Sequence, residues 1–301
     1  MMRLQQTGSG LGSDIVLTLR VQDEKTAQQV FRVLWATINA FDQRFSRFRT
    51  DSELNRVNQL AGQPTQISEE FQHWLQTALD YSRKTDGLYN PLLLPAIQRA
   101  GYVGSWPHVE KYQPQLDYRQ QRDANSKTIR LEGQTVTLAS QTALDSGGIG
   151  KGYLLDQLAS LLDTKHVKDY WLSLGGDIIC AGFDNDNQPW KVGIAKANSP
   201  QQPVAVMIND NGYHLAVATS GTTKRRGVNW HHIIDPRTGK PARTDVLTAT
   251  VVSDSATAAD VYAKCLVILG SEAAGNFITA QAIDGALLQT ATSQHRFGVL
   301  A

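Results

Sequence analysis

Cysteine is nearly absent. Only Cys180 and Cys265 occur in 301 residues, each inside an apolar stretch, so two small buried thiols are expected rather than a disulfide. An excess of one charge sign is lacking too. Lys plus Arg total 29 against 28 for Asp plus Glu, a formal balance of +1, which removes any global electrostatic reason to bind nucleic acid or an anionic membrane. Any anion binding must therefore be local. No unbroken run of about 18 apolar residues occurs, so no transmembrane segment is expected. The opening MMRLQQTGSGLG has no apolar core before a small-residue cleavage site and no lipid-attachment cysteine, so no export signal is read and a cytoplasmic location is expected.

What is present reads as alternating strands and amphipathic helices. DIVLTLRV at 14–21 alternates like a strand, and Asp23 opens a helix with Val30, Phe31, Leu34, Trp35, Ile38 and Phe41 on one face. A second helix is expected at 68–84, started by Ser68, lined by Phe71, Trp74, Leu75, Ala78 and Leu79, and closed near Gly87. From Ala100 to Ser126 the composition turns to Gly, Pro, Gln, Tyr and Arg without period, which predicts a long ordered surface loop near 100–126. Strands follow at 127–131 and 134–139 around a Glu132-Gly133 turn, then a helix through Leu162. Strand signals at 170–180, 189–195, 203–208, 213–218, 230–234 and 247–253 precede a helix at 257–269 and two more strands. Strands outnumber crossover helices, so the fold class is α+β with mixed, largely antiparallel sheets and packed helices, taken as one domain over 1–301.

Three stretches carry possible chemistry. DSGGIGKG at 145–152 lies where a helix begins, and free N–H groups with a positive dipole end there favour a phosphate, to which Lys151 adds a cation. The same glycines also serve a tight turn and close packing. The stretch is no Walker loop, because Asp145 and Gly152 stand where Gly and Ser or Thr are needed, and its glycine spacing misses the dinucleotide fingerprint. HHIIDPRTG offers two imidazoles that a strand would point to opposite faces, and either a base or a hydrogen-bonded structural histidine suits them. DPRTG is a turn on local grounds. In TAADVYAKCLVILG, Asp260 and Lys264 share a helix face, as an ordinary ion pair or as part of a semi-buried site in which Asp260 offers oxygen to Mg²⁺.

Taken in order, DSGGIGKGYLLDQLASLL, SLGGDI, ATSG, HIIDPRTGKP and TAADVYAKCLVILG resemble the ApbE family of flavin transferases, as do FSRFRTDSELNRVN at 45–58 and TDGLYNPLLLPAI at 85–97. The resemblance spans nearly the whole chain. It implies a T-fold-related α+β fold and an FAD:protein FMN transferase, which moves the FMN half of FAD onto a Thr or Ser hydroxyl of an acceptor protein and releases AMP. It also implies roles: His232 as base; Asp145, Lys151, Ile234, Leu88, Tyr89 and Asn90, and more loosely Leu11 and Phe48, as FAD contacts; the Gly148 carbonyl and Asp260 as Mg²⁺ ligands. Members of the family are often exported or membrane-anchored lipoproteins. Two residues depart from the family pattern. Lys264 stands where a Thr or Ser supplies a metal ligand, and its ammonium would repel Mg²⁺ or take the cation's place beside Asp260. Asn90 stands where the family has an acid. The alternative activities are an FAD pyrophosphatase that yields FMN and AMP, and a non-catalytic flavin-binding protein.

Overall fold

The computed structural model describes residues 1–104, 116–184, 186–227 and 230–301. In chain order the elements begin with β1 (Met2–Gly10), β2 (Ser13–Val21), α1 (Glu24–Phe45), α2 (Glu53–Gln59), β3 (Thr65–Gln66), α3 (Glu69–Lys84) and α4 (Leu94–Ala100). They continue with β4 (Arg130–Glu132), β5 (Thr135–Thr137), α5 (Gly150–Thr164), β6 (Asp169–Leu174), β7 (Asp177–Ala181), β8 (Trp190–Lys196), β9 (Ser199–Asn209) and β10 (Leu215–Gly221). Last come β11 (Ile234–Asp235), β12 (Lys240–Pro241), β13 (Val246–Ser253), α6 (Ala256–Ala280), β14 (Gly285–Thr290) and β15 (Gln294–Gly298). These elements form two compact units: Met1–Ala40, Gly150–Gly221 and Asp245–Ala301 in the first, Phe41–Ile149 and Thr222–Thr244 in the second.

The first unit is built on an eight-stranded sheet in the order β1-β2-β6-β7-β10-β13-β14-β15. Every pairing in it is antiparallel. Two of its hairpins turn on two residues in the left-handed region, which matches the strand twist. Leu11 and Gly12 (φ 56° and 66°) join β1 to β2, and Gly175 and Gly176 (φ 62° and 93°) join β6 to β7. The strand expected at 170–180 is therefore two strands, because a Gly-Gly pair reverses the chain where an unbroken apolar run would have continued it. Helix α6 packs on β10 and β13, and α5 packs on α6. A side hairpin, β8 with β9, completes the unit. Cys180 and Cys265 are fully buried thiols that form no disulfide, and burial pushes the Cys180 thiol up to about 12.

Helix α6 runs well past the expected 257–269, and Gly270 (φ 80°, ψ 172°) breaks its helical dihedrals before Ala274 and Ile278 bury again. By length and composition it is the one described helix apolar enough to cross a membrane, which the search for an unbroken apolar run missed because Thr, Ser and Gly dilute the stretch. In this fold 61% of its apolar window is buried, as befits a core helix apolar on most sides.

In the second unit, α3 shows why local sequence dictates a helix. Ser68 caps it by accepting from Phe71 N–H (3.2 Å), Glu69 and Glu70 occupy the first turn and Arg83 and Lys84 the last. Phe71, Trp74, Leu75 and Ala78 bury along one face, and the chain leaves the helix through Asp86 and Gly87, both with positive φ. The expected hairpin forms one residue later than Glu132-Gly133, with Glu132 paired to Thr135 and Gly133-Gln134 as the turn, and β4 starts later than expected because Ser126–Thr128 is a 3₁₀ turn. Of the strand expected at 230–234, only Ile234 is in β11; the chain turns at Asp235, whose carbonyl accepts from Thr238 and Gly239 N–H. Residues 105–115 of the expected loop lie outside the described residues; around them, Gln98 anchors the chain to Leu116 O and Tyr118 N–H.

Candidate functional site

In the first unit the start of α5 is welded to α6 by reciprocal capping. Gly152 N–H, one of the donors that a helix start leaves unpaired, is given to Asp260 Oδ2 (3.1 Å). In return Asp156 accepts from Ala256 N–H (2.7 Å), Thr257 N–H (2.9 Å) and the Ser255 and Thr257 hydroxyls at the start of α6. Only glycine permits this approach: a Cβ at position 152 would sit 2.3 Å from the Ala256 carbonyl oxygen and 2.8 Å from Asp260 Cβ. Both readings of the glycine-rich turn thus apply at one residue, and the anion served by Gly152 is the Asp260 carboxylate.

Around that carboxylate lie two lysines and a second acid. Lys264 donates to Asp260 Oδ1 and, at 3.1 Å, to its carbonyl, while Lys151 pairs with Asp177, which follows the Gly175-Gly176 turn. Asp177 is 2% exposed and also accepts from Thr219 N–H (3.2 Å). Burial by itself would raise the Asp260 carboxyl; the charges of Lys151 and Lys264 and the bonds from Lys264 and Gly152 outweigh it and hold the group below its ordinary value. A divalent cation is caged by several oxygens. Here each Asp260 oxygen already accepts a bond, one of them from an ammonium. The Asp260 surroundings do not fit Mg²⁺.

The second unit gathers other expected residues around an arginine that the sequence reading passed over. Asp145, 6% exposed, accepts from Arg47 (2.9 Å) and from Gly147 N–H (3.1 Å). The Arg47 guanidinium lies over the Phe48 ring at 4.8 Å and the Tyr102 ring at 4.5 Å, a cation held between two π faces. Tyr102 stacks on Trp230 (6.1 Å) and meets the His232 ring edge-on (6.0 Å), and Ile234 packs in the same cluster. Phe48, Asp145, His232 and Ile234 are therefore neighbours through Arg47 and Tyr102. The signal for these two is weak: FSRFRTDSELNRVN resembles a family segment but gives Arg47 no role of its own, and Tyr102 sits in the stretch read as surface.

The two histidines differ, though not by opposite faces of a strand, since neither is in one beyond an isolated bridge from His231 to Arg226. His231 Nε2 donates to Ala242 O (3.1 Å), and burial, partly opposed by that bond, lowers its pKa. His231 is the structural partner. His232 faces the Tyr102 ring. Of the Leu88-Tyr89-Asn90 triplet, Asn90 is a turn residue, donating to Ala124 O (2.8 Å) and accepting from Leu92 N–H (3.0 Å). The Tyr89 ring lies beneath Gly148, where an added Cβ would fall 2.8 Å from it. Leu11 is a half-buried residue of the β1–β2 turn in the first unit.

An antiparallel eight-stranded sheet backed by a mutually capped helix pair, with the β8–β9 hairpin at its side, defines an α+β protein. The solved flavin transferase ApbE of Vibrio cholerae matches it with a TM-score of 0.82 at 23% identity, covering 98% of this chain and 96% of that one. The ApbE protein of Thermotoga maritima matches with a TM-score of 0.83 at 20% identity, covering 98% and 97%. The chain belongs to the ApbE family, whose family model spans residues 11–287. Curated relatives include the FAD:protein FMN transferases of Escherichia coli K12, 27% identical over 87% of this chain and 77% of that protein, and of Vibrio cholerae serotype O1, 29% identical over 84% and 76%.

Proposed function

We propose that this chain is an FAD:protein FMN transferase. The observation that supports it most is family membership across residues 11–287, within which Lys151, Asp145 and the cluster of Phe48, His232 and Ile234 are residues to which the resemblance gives a role toward FAD. The reaction exchanges a phosphoanhydride for a phosphoester. An acceptor Thr or Ser oxygen attacks the FMN phosphorus of FAD, the phosphorus–oxygen bond to AMP breaks, the hydroxyl proton passes to His232, and AMP carries away the electron pair. Such transfers need charge neutralisation on the phosphates and a proton acceptor for the nucleophile. Lys151 supplies charge at the phosphates. Phe48, Tyr89 and Ile234 offer apolar contact to the flavin, and the Arg47 guanidinium keeps Asp145 fixed as an FAD contact.

The test is incubation of the purified protein with FAD and a panel of Thr- and Ser-bearing peptides. Covalent flavin on a peptide with release of AMP supports the transferase. Free FMN plus AMP without labelled peptide identifies a pyrophosphatase, and intact bound FAD a non-catalytic flavin protein.

A further inference from the structure

Four ionisable groups of the first unit alternate in sign: Asp177, Lys151, Asp260 and Lys264. With all four ionised their charges cancel. Asp260 is 1% exposed, and a carboxylate buried so deeply must either take up a proton or be given a cation. Many proteins take that cation from solution as a metal ion. Here it is covalently attached, one helical turn along α6, with an apolar stem that reaches back along the helix to the same carboxylate. A divalent ion arriving at Asp260 would meet an ammonium already on Oδ1 and an N–H already on Oδ2.

We propose that the Lys264 ammonium is a built-in replacement for a divalent cation at Asp260, so that this protein binds and cleaves FAD without one. The FAD half of this inference rests on the flavin reading above; the cation half does not. An ammonium has three N–H donors. Lys264 spends two on Asp260, at Oδ1 and the main-chain carbonyl, and the third remains for an acceptor such as a phosphate oxygen. The lysine thus both neutralises the buried acid and offers charge to a diphosphate. Unlike a metal, it cannot be removed by a chelator.

The experiment has two arms on EDTA-treated, gel-filtered protein. In the first, Mn²⁺ alone is titrated and followed by its electron paramagnetic resonance signal; the wild type is expected to take up none stoichiometrically at submillimolar Mn²⁺, and Lys264→Met to gain one site. In the second, FAD binding is followed by flavin fluorescence with Mg²⁺ or with EDTA. The wild-type Kd should agree within about twofold between the two conditions, and Lys264→Met should weaken it at least about tenfold in EDTA. Stoichiometric Mn²⁺ on the wild type overturns the proposal, as does a tenfold tightening of wild-type FAD binding by Mg²⁺, or a folded Lys264→Met variant unchanged in both arms. Should that variant not fold, Lys264→Arg keeps the charge and must still exclude Mn²⁺, and the wild-type arms decide regardless. A wild type that binds no FAD under either condition removes the flavin reading, and the Mn²⁺ arm then judges the cation site separately.

Discussion

Gly152→Ala tests the helix weld that organises the first unit. The added Cβ would lie 2.3 Å from the Ala256 carbonyl oxygen and 2.8 Å from Asp260 Cβ, and both are fixed parts of α6 rather than the ends of flexible side chains. Relief requires α5 and α6 to separate. Overpacking of this kind costs about 1–3 kcal/mol. Separation also stretches the 3.1 Å bond from Gly152 N–H to Asp260, and a buried acceptor losing a donor costs about 1–3 kcal/mol more. The helix propensity of Ala over Gly returns at most about 1 kcal/mol. The net is a loss of about 3 kcal/mol, which for a body of this size lowers Tm by about 6–12 °C. Gly193→Ala is the control, because its Cβ meets nothing nearer than Pro203 Cβ at 3.8 Å on the exposed face of β8, and a change within about 0.5 kcal/mol is expected. Differential scanning calorimetry reads both. If Gly152→Ala melts as Gly193→Ala does, the close approach of the two helices is wrong.

Asp156→Ala removes an acceptor of four bonds at the start of α6 and should cost about 2 kcal/mol by thermal melting, with Asp156→Asn intermediate. Arg47→Ala strands the buried Asp145 carboxylate and should cost about 3 kcal/mol, read by chemical unfolding. The folded pKa of His231 is lowered, chiefly by burial, so the unfolded chain takes up its proton first. Its contribution is complete above the unfolded value of about 6.5 and is lost as pH falls below that toward the folded value, so His231→Gln should show a shallower drop in urea midpoint on acidification. Leu11→Asn relieves a bulky side chain at φ 56° and should raise stability by about 0.5–1 kcal/mol in a denaturant titration.

Much of this arrangement is written locally. Ser68 with its acidic first turn, Gly87 beyond its end and Phe71-x-x-Trp74-Leu75 between them specify α3 almost to the residue. Asp260 and Lys264 are visible as helix neighbours because four residues make a turn. Other features depend on partners far along the chain. Nothing near Gly152 says that its N–H is spoken for by Asp260, 108 residues on. Asp156 looks like an ordinary polar position of α5 until α6 is seen to begin on it. Gly175-Gly176 is hard to read as a turn because mostly apolar residues on both sides, Tyr170 to Leu174 and Ile178 to Cys180, look like one strand, whereas β1 is hidden because MRLQQTGSG has too few apolar residues to alternate. Tyr102 and Trp230 carry no local sign that they would stack, since 128 positions separate them along the chain.

The most direct test of the account measures AMP release and covalent flavin together in one reaction containing the protein, FAD and Thr- or Ser-bearing peptides. Equal amounts of AMP and flavinylated peptide, both abolished in a His232→Ala variant that still binds FAD, are the predicted result. AMP formed without any peptide-bound flavin, or transfer that persists undiminished in His232→Ala, would contradict it.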